Sequence, residues 1–306
     1  MPTTPHSARQ GRARRAAAAG AALALAAALA GCAADDGAPE RPSASASASA
    51  SASSAPEPRV RADLEAVFAD AGVNGTFVAY DSATGETTVV NPEEMDERVQ
   101  PASTFKIPNS LISLQAGAVE SADEVVPYGG EPQRVDKWEH DMSMREAIRI
   151  SALPIFQELA RRVGHEEMGS WVERFDYGNR DIGGPDRIDQ FWLHGPLSIS
   201  AAEQALFMER VATGDLPVDA EHVATLHDMV RQDIDDPEGR DLYWKSGWAD
   251  GPELMPGWMV GWVEDGDDVT AFALRLEMES DAHADLREPM TRELLDELGV
   301  LPAGTD

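Results

Sequence analysis

Apolar positions recur at helical spacing in RVRADLEAVFADAG, residues 59–72, and stop at Gly72, so the patterned part of the chain is expected to open with a helix. The period then changes. GTFVAYDSATGETTVVN, residues 75–91, holds two β-rich runs about a Ser-Ala-Thr-Gly turn, which predicts a hairpin. From Ser103 to about Asp235 the pattern is mostly helical, as in MSMREAIRIS, LPIFQELARRVG and SAAEQALFMERVAT. Strand signal returns in DLYWKSGWA, GWMVGWVEDG and DVTAFALRLEME, which predict three consecutive antiparallel strands, the last two joined at Asp265-Gly266-Asp267. REPMTRELLDELG closes the pattern with an amphipathic helix. The fold class expected is α+β: an antiparallel sheet built from both chain ends, with a helical region inserted between them. The cleft where sheet and helices meet is the expected site.

Before this pattern the chain has a different character. Arg9, Arg12, Arg14 and Arg15 precede an Ala/Leu run from Ala16 to Ala30, with no acidic residue before Asp35, the composition of an export signal. The run ends in Leu29-Ala30-Gly31-Cys32, which resembles the lipobox of bacterial lipoproteins, and Cys32 is the only Cys of the chain. The resemblance implies cleavage before Cys32 and lipidation of its thiol, hence export and anchoring to the outer face of the bacterial cell membrane; the alternative is an ordinary secretory signal with an incidental Cys. PSASASASASASSAPEP then reads as a Ser/Ala/Pro spacer. The expected organisation is a signal peptide over 1–31, a tether over 32–58 and one domain over 59–306, whose helical region covers about 103–235. With its one Cys lipidated, no disulfide is available, so stability must come from the core.

A net charge of −30 on 306 residues argues against nucleic acid or anionic lipid as a partner. It fits solubility and singles out no substrate. The histidines offer no metal site: HEEMG lacks the second His of a zinc-protease motif, and no other pair has ligand spacing.

Lysine is rare here, and its placement is informative. Of 25 basic residues only three, Lys106, Lys137 and Lys245, are lysine. In PASTFKIPNS, Ser103 stands three residues before Lys106 at the start of a helical run, so the two share a face and the amine can reach the hydroxyl. Arginine stays protonated at any working pH, whereas lysine in an apolar pocket can lose its proton and act as a base. Lys245, in WKSGW, stands inside a strand between aromatics, where a charge is unexpected. Gly247 would let a substrate approach the strand edge. A Ser-x-x-Lys alone is a weak signal; paired with Lys-Ser-Gly it fits the serine penicillin-recognising enzymes.

The ordered motifs YDSATGETTVVNPE, PASTFKIPNSLISLQAG, WEHDMSMREAIRISALPIFQELARRVG, YGN, FWLHGPLSIS, YWKSGW, GWMVGWVE and LREPMTRELLDELG resemble those of class D, oxacillinase-type β-lactamases over nearly the whole chain after the tether. The resemblance implies the fold of serine β-lactamases and penicillin-binding transpeptidases, β-lactam substrates and no metal. By it, Ser103 is the nucleophile that forms an acyl-enzyme, and Lys106 carries a CO₂-derived carbamate as general base. Trp192 holds that carbamate through its indole N–H, and Ser151 relays a proton toward the leaving nitrogen. Lys245, Ser246 and Arg287 hold the substrate carboxylate, while the backbone N–H groups of Ser103 and Trp248 form the oxyanion hole. Tyr177 and Asn179 shape the floor of the site or, alternatively, form a structural turn. Read without the resemblance, Ser151 would be the N-cap of the next helix and Arg287 a solvated charge at a helix start.

Three positions depart from the family pattern. Leu153 replaces the usual valine of the second serine motif, Ser246 replaces the commoner threonine, and the loop ADGPELMP bears Asp250 and Glu253. Two other readings compete with hydrolysis: a β-lactam sensor that acylates without turnover, and a cell-wall peptidase.

Overall fold

A computed structural model of the protein describes residues 57–249 and 255–302. The expected signal peptide, Cys32, most of the tether, and Asp250 and Glu253 lie outside the described residues.

Among the described residues a six-stranded sheet is ordered β1-β3-β2-β8-β7-β6. The hairpin of β2 (Gly75–Asp81) and β3 (Thr87–Val90) supplies one side, and the meander of β6 (Asp241–Trp248), β7 (Met255–Asp265) and β8 (Asp268–Met278) the other. They join where β2 pairs antiparallel with β8, from Gly75 opposite Leu276 to Asp81 opposite Thr270. The expected opening helix is corrected at its start. Arg59–Val60 is a short strand, β1, that runs parallel to β3, and helical structure begins only at Ala62, with α1 spanning Glu65–Ala71. The helical periodicity of that stretch belongs to Leu64, Val67 and Phe68, which are buried, whereas Arg59 and Val60 are exposed.

The sheet is covered on both faces, and its strands divide their side chains accordingly. In β8, Phe272, Leu274 and Leu276 pack with Leu64 and Phe68 and with Leu294 and Leu295 of α8 (Arg287–Glu297). The intervening Ala271 and Ala273 face the helical region, and their small size lets α6 (Ala201–Thr213) lie close to the sheet. In β7, Met259 and Val263 join the first core, and Trp258, Val260 and Trp262 the second. Burial on both faces is why these strands read as nearly continuous apolar runs rather than as a strict alternation.

The inserted region contains α2 (Lys106–Gln115), α3 (Met144–Arg149), α4 (Leu153–Val163), α5 (His165–Arg174), α6 and α7 (Ala220–Val230), with a two-stranded sheet of β4 (Val125–Val126) and β5 (Met142–Ser143). Ser200 caps α6 through a reciprocal box with Glu203. The core here centres on stacked and edge-on aromatics: the Phe105 ring lies 5.5 Å from Trp192, 5.0 Å from Phe191 and 5.6 Å from Tyr177. Phe105 is the residue before Lys106, so the aromatic cluster anchors the turn that carries the candidate chemistry.

Candidate active site

Ser103 lies in a 3-10 turn, Ala102–Phe105, that runs directly into α2 at Lys106. The sequence places the turn by several contacts. Ala102 has a left-handed φ of 50°, unusual for a residue with a side chain, and its N–H donates to Trp192 O at 3.0 Å. Thr104 Oγ1 donates to Pro101 O at 2.7 Å and accepts from Gln204 Nε2 of α6 at 2.8 Å. Trp258 Nε1 of β7 donates to Gln100 O at 2.9 Å. Sheet, α6 and the 191–193 turn therefore all hold the segment that presents Ser103.

Lys106 Nζ donates to Ser103 Oγ at 2.7 Å. Lys106 is 1% exposed, and its amine sits 5.4 Å from the centre of the Phe156 ring of α4. Asn109 Nδ2, one turn further along α2, donates to Phe156 O at 3.1 Å and fixes α4 against α2. Burial above all, then the positive charges of Lys245 and Arg134, push the Lys106 amine well below the ordinary lysine range. No carboxylate pairs with it among the described residues. Burial at this position thus disfavours the charged form of the lysine.

Trp192, stacked on Phe105, the residue before Lys106, is fully buried, and its Nε1 is a donor without a partner among the described residues. An orphaned buried N–H is costly unless something accepts from it. A buried amine whose charged form is disfavoured and a buried indole donor without a partner, both in the core around the nucleophile turn, fit the residues that a lysine carbamate requires. Leu153, in place of the usual valine, opens α4 and packs partly buried against the same core.

Gly247 has a packing role in addition to the one expected. A Cβ there would lie 2.9 Å from Thr104 Cγ2, 3.1 Å from Pro101 O and 3.1 Å from Trp258 Cβ. The glycine lets β6 press against the nucleophile turn; the close approach is between two parts of the protein. β6 is also the edge strand. Ala249 N–H donates across to Pro256 O of β7, so, by the alternation of a strand, the Trp248 N–H turns to the open edge. The Ser103 N–H has no backbone partner among the described residues. Two backbone donors are thus available on facing segments.

Lys245 is 5% exposed, and its Nζ donates to the backbone oxygen of Ser246 at 2.8 Å. Burial, and secondarily Arg287, lower it to about 7. Arg287 opens α8, where its Nε donates to Ala284 O at 2.9 Å and its Nη1 to Gly247 O at 2.5 Å. Burial also lowers Arg287, opposed by nearby Asp285. Arg287 is half-buried and bonded to the strand that carries Lys245, so it is not the solvated charge that its helix-start position suggests.

Ser151 stands at the corner between α3 and α4 with a φ of 57°. The cap of α4 is Ala152, without a side-chain hydrogen bond, so the isolated expectation of a Ser151 N-cap is corrected. Asn179 is a turn residue: its Nδ2 donates to Pro196 O at 2.7 Å and its Oδ1 accepts from the N–H of Asp181 and Ser198. Tyr177 is fully buried against Phe105 and Phe207, and burial raises its phenol. Sequence reasoning missed Thr104, Gln204, Asn109 and Phe156. The two amides were visible as buried-face polar residues in helical segments, a signal of a satisfied internal contact. No group of His, Cys, Asp and Glu among the described residues could hold a metal ion.

Residues 75–296 match the family model of the penicillin-binding protein transpeptidase domain. The chain is 35% identical over 240 residues to β-lactamase OXA-5 of Pseudomonas aeruginosa, covering 78% of this chain and 88% of that protein. The solved class D β-lactamase YbXI from Nostoc is 32% identical, with 79% of this chain and all of the other covered, and superposes with a TM-score of 0.75. The chain belongs to the class D β-lactamases. It is also 27% identical over 242 residues to the regulatory protein BlaR1 of Bacillus licheniformis, of which it covers 39%.

Proposed function

We propose that the chain hydrolyses β-lactams through a Ser103 acyl-enzyme and so gives resistance to these antibiotics. The observation that carries the reading is the 2.7 Å contact between Ser103 Oγ and a Lys106 amine that is buried and has no counter-ion among the described residues. Ser103 Oγ gives its proton to the base at Lys106 and attacks the ring carbonyl, whose oxygen takes up charge between the N–H groups of Ser103 and Trp248. The ring C–N bond breaks, and Ser151 relays a proton to the departing nitrogen. Lys245, Ser246 and Arg287 hold the substrate carboxylate. Water then attacks the ester and releases Ser103. A CO₂-derived carbamate on Lys106, with Trp192 Nε1 as its donor, would supply an anionic base beside Ser103. Burial lowers the Nζ pKa and so favours the neutral amine that attachment of CO₂ requires.

We further propose that Cys32 is lipidated and holds the enzyme on the outer face of the cell membrane. Cys32→Ala should release the protein and leave its solution activity unchanged.

Turnover of a chromogenic cephalosporin such as nitrocefin tests the main reading. Wild-type protein should hydrolyse it catalytically, and Ser103→Ala should abolish hydrolysis without loss of fold. Turnover near wild type in Ser103→Ala would place the nucleophile elsewhere. The likeness to BlaR1 keeps one second reading in view, a receptor that acylates once. A stoichiometric burst with a stable acyl adduct by mass spectrometry would select it.

A further inference from the structure

Thr104 stands between the two backbone donors of the oxyanion hole. It follows Ser103 in the chain, and its methyl, Cγ2, faces β6, where a Cβ on Gly247, the residue before Trp248, would lie only 2.9 Å away. Pro101 O comes to 3.1 Å of the same point. The nucleophile turn and the strand that carries the Trp248 N–H therefore meet at Thr104, with no side chain on Gly247 to separate them.

The orientation of that methyl is fixed from the opposite side. Thr104 Oγ1 donates to Pro101 O at 2.7 Å, which uses its one proton, and accepts from Gln204 Nε2 at 2.8 Å. A β-branched side chain has few χ1 choices, so two bonds to the oxygen decide where the methyl points. Gln204 is held in turn: it lies in the first turn of α6, its N–H donates to Ser200 O at 2.9 Å, and α6 packs on the sheet. Both Thr104 and Gln204 are fully buried. A valine would fill the same space as Thr104 without burying polar groups, whereas a satisfied buried pair adds rigidity.

We propose that Thr104, locked by Gln204, sets the spacing of the oxyanion hole. Neither residue reaches the substrate; they are positioning residues that hold the Ser103 N–H at a fixed separation from the Trp248 N–H. Donors of this kind work by being aimed in advance at the charge that develops on the carbonyl oxygen, so a small displacement is felt as lost rate.

The inference rests on the β-lactamase reading above. Its test uses the full chain and two variants: Thr104→Ser, which keeps the hydroxyl and removes the methyl, and Gln204→Met, which keeps most of the volume and removes the donor. Two quantities are compared, kcat/KM for nitrocefin and Ki for benzeneboronic acid, whose boron takes up Ser103 Oγ and places an oxygen between the two N–H groups. In each variant kcat/KM per folded molecule should fall about 10-fold and Ki should rise by a similar factor. Thr104→Ser should show this with little change in melting temperature. Unchanged kcat/KM and Ki in Thr104→Ser overturn the proposal. So does a lower melting temperature in Gln204→Met with both quantities unchanged, which would leave the pair a purely structural role. A fall in kcat/KM with Ki unaltered also overturns it, because the loss would then lie outside the oxyanion hole. A wild type that acylates once without turnover would overturn the hydrolytic reading, and the boronate comparison would still decide this one.

Discussion

Two pairs of buried cations in this molecule are treated in opposite ways. Arg240, whose side chain is 7% exposed, is paired with Asp236 at 2.9 Å and with Glu238 at 3.1 Å, and Arg275, 3% exposed, is paired with Glu94 and Glu97. Lys106 and Lys245 are as well buried, yet neither is paired with a carboxylate among the described residues. Removing a charge from water without a partner is unfavourable, and a titratable group responds by neutralising. An arginine cannot do so, and the structural positions are arginines with carboxylates; a lysine can, and the site positions are lysines without them. The contrast explains why two of the few lysines of the chain stand at the site. What looks like an unsatisfied feature of the fold is the state its chemistry needs.

The comparison can be broken at either member. Lys106→Met keeps the volume and removes the amine, so turnover should fall on the order of 10²- to 10⁴-fold, the contribution of a general base, while the melting temperature holds or rises. Deacylation should suffer most because water is the poorer nucleophile, and acyl-enzyme should accumulate in a rapid-quench mass measurement. A variant with lower Tm and normal turnover would make Lys106 a structural residue.

Arg240→Met should do the reverse. It strands Asp236, whose carboxyl is held low chiefly by its hydrogen bond to Arg240. The loss should be about 2 kcal/mol, below that of a deeply buried pair because Glu238 and the surface are close, with activity per folded molecule retained. Urea denaturation with parallel activity assays checks both halves.

Lys245 gives the smallest and most graded effect. In the folded enzyme it titrates near 7, and in the unfolded chain near the ordinary lysine value of about 10.4. Between these the unfolded state binds the extra proton, so this group lets stability rise as pH rises through that window. Binding runs the other way. Above about pH 7 the free enzyme loses the Lys245 charge, and KM for carboxylate-bearing substrates should rise about 3- to 10-fold, with Arg287 limiting the loss. Lys245→Arg should flatten that limb of the kcat/KM profile; an unaltered limb would assign it to another group.

The hairpin, the three-strand meander and the closing helix were legible because each is long and sharply patterned. β1 was not, since two exposed residues carry no periodicity and a parallel pairing has no turn to announce it. In the site, Ser103 and Lys106 were legible because a single turn brings them together. The packing role of Gly247 is invisible in the sequence because Thr104 and Pro101 are some 140 residues away in the chain and meet it only through the fold. Ser151 was open to a capping role because a serine before a helix usually caps it; here the positive φ shifts that role to Ala152. Arg134, whose guanidinium carbon lies 5.6 Å from the centre of the Trp138 ring and 5.9 Å from that of Trp248, had no sequence signal for these contacts, since Trp248 lies on a distant strand.

We propose that burial lowers the pKa of the Lys106 amine so that its neutral form can carry CO₂. The direct measurement is ¹³C NMR of the full chain equilibrated with labelled bicarbonate, alongside activity in CO₂-depleted buffer. The account predicts a carbamate resonance that is absent in Lys106→Met and lost at low pH, and activity that falls on depletion and recovers on bicarbonate addition. A fully active enzyme with no labelled carbamate and no response to bicarbonate would contradict it.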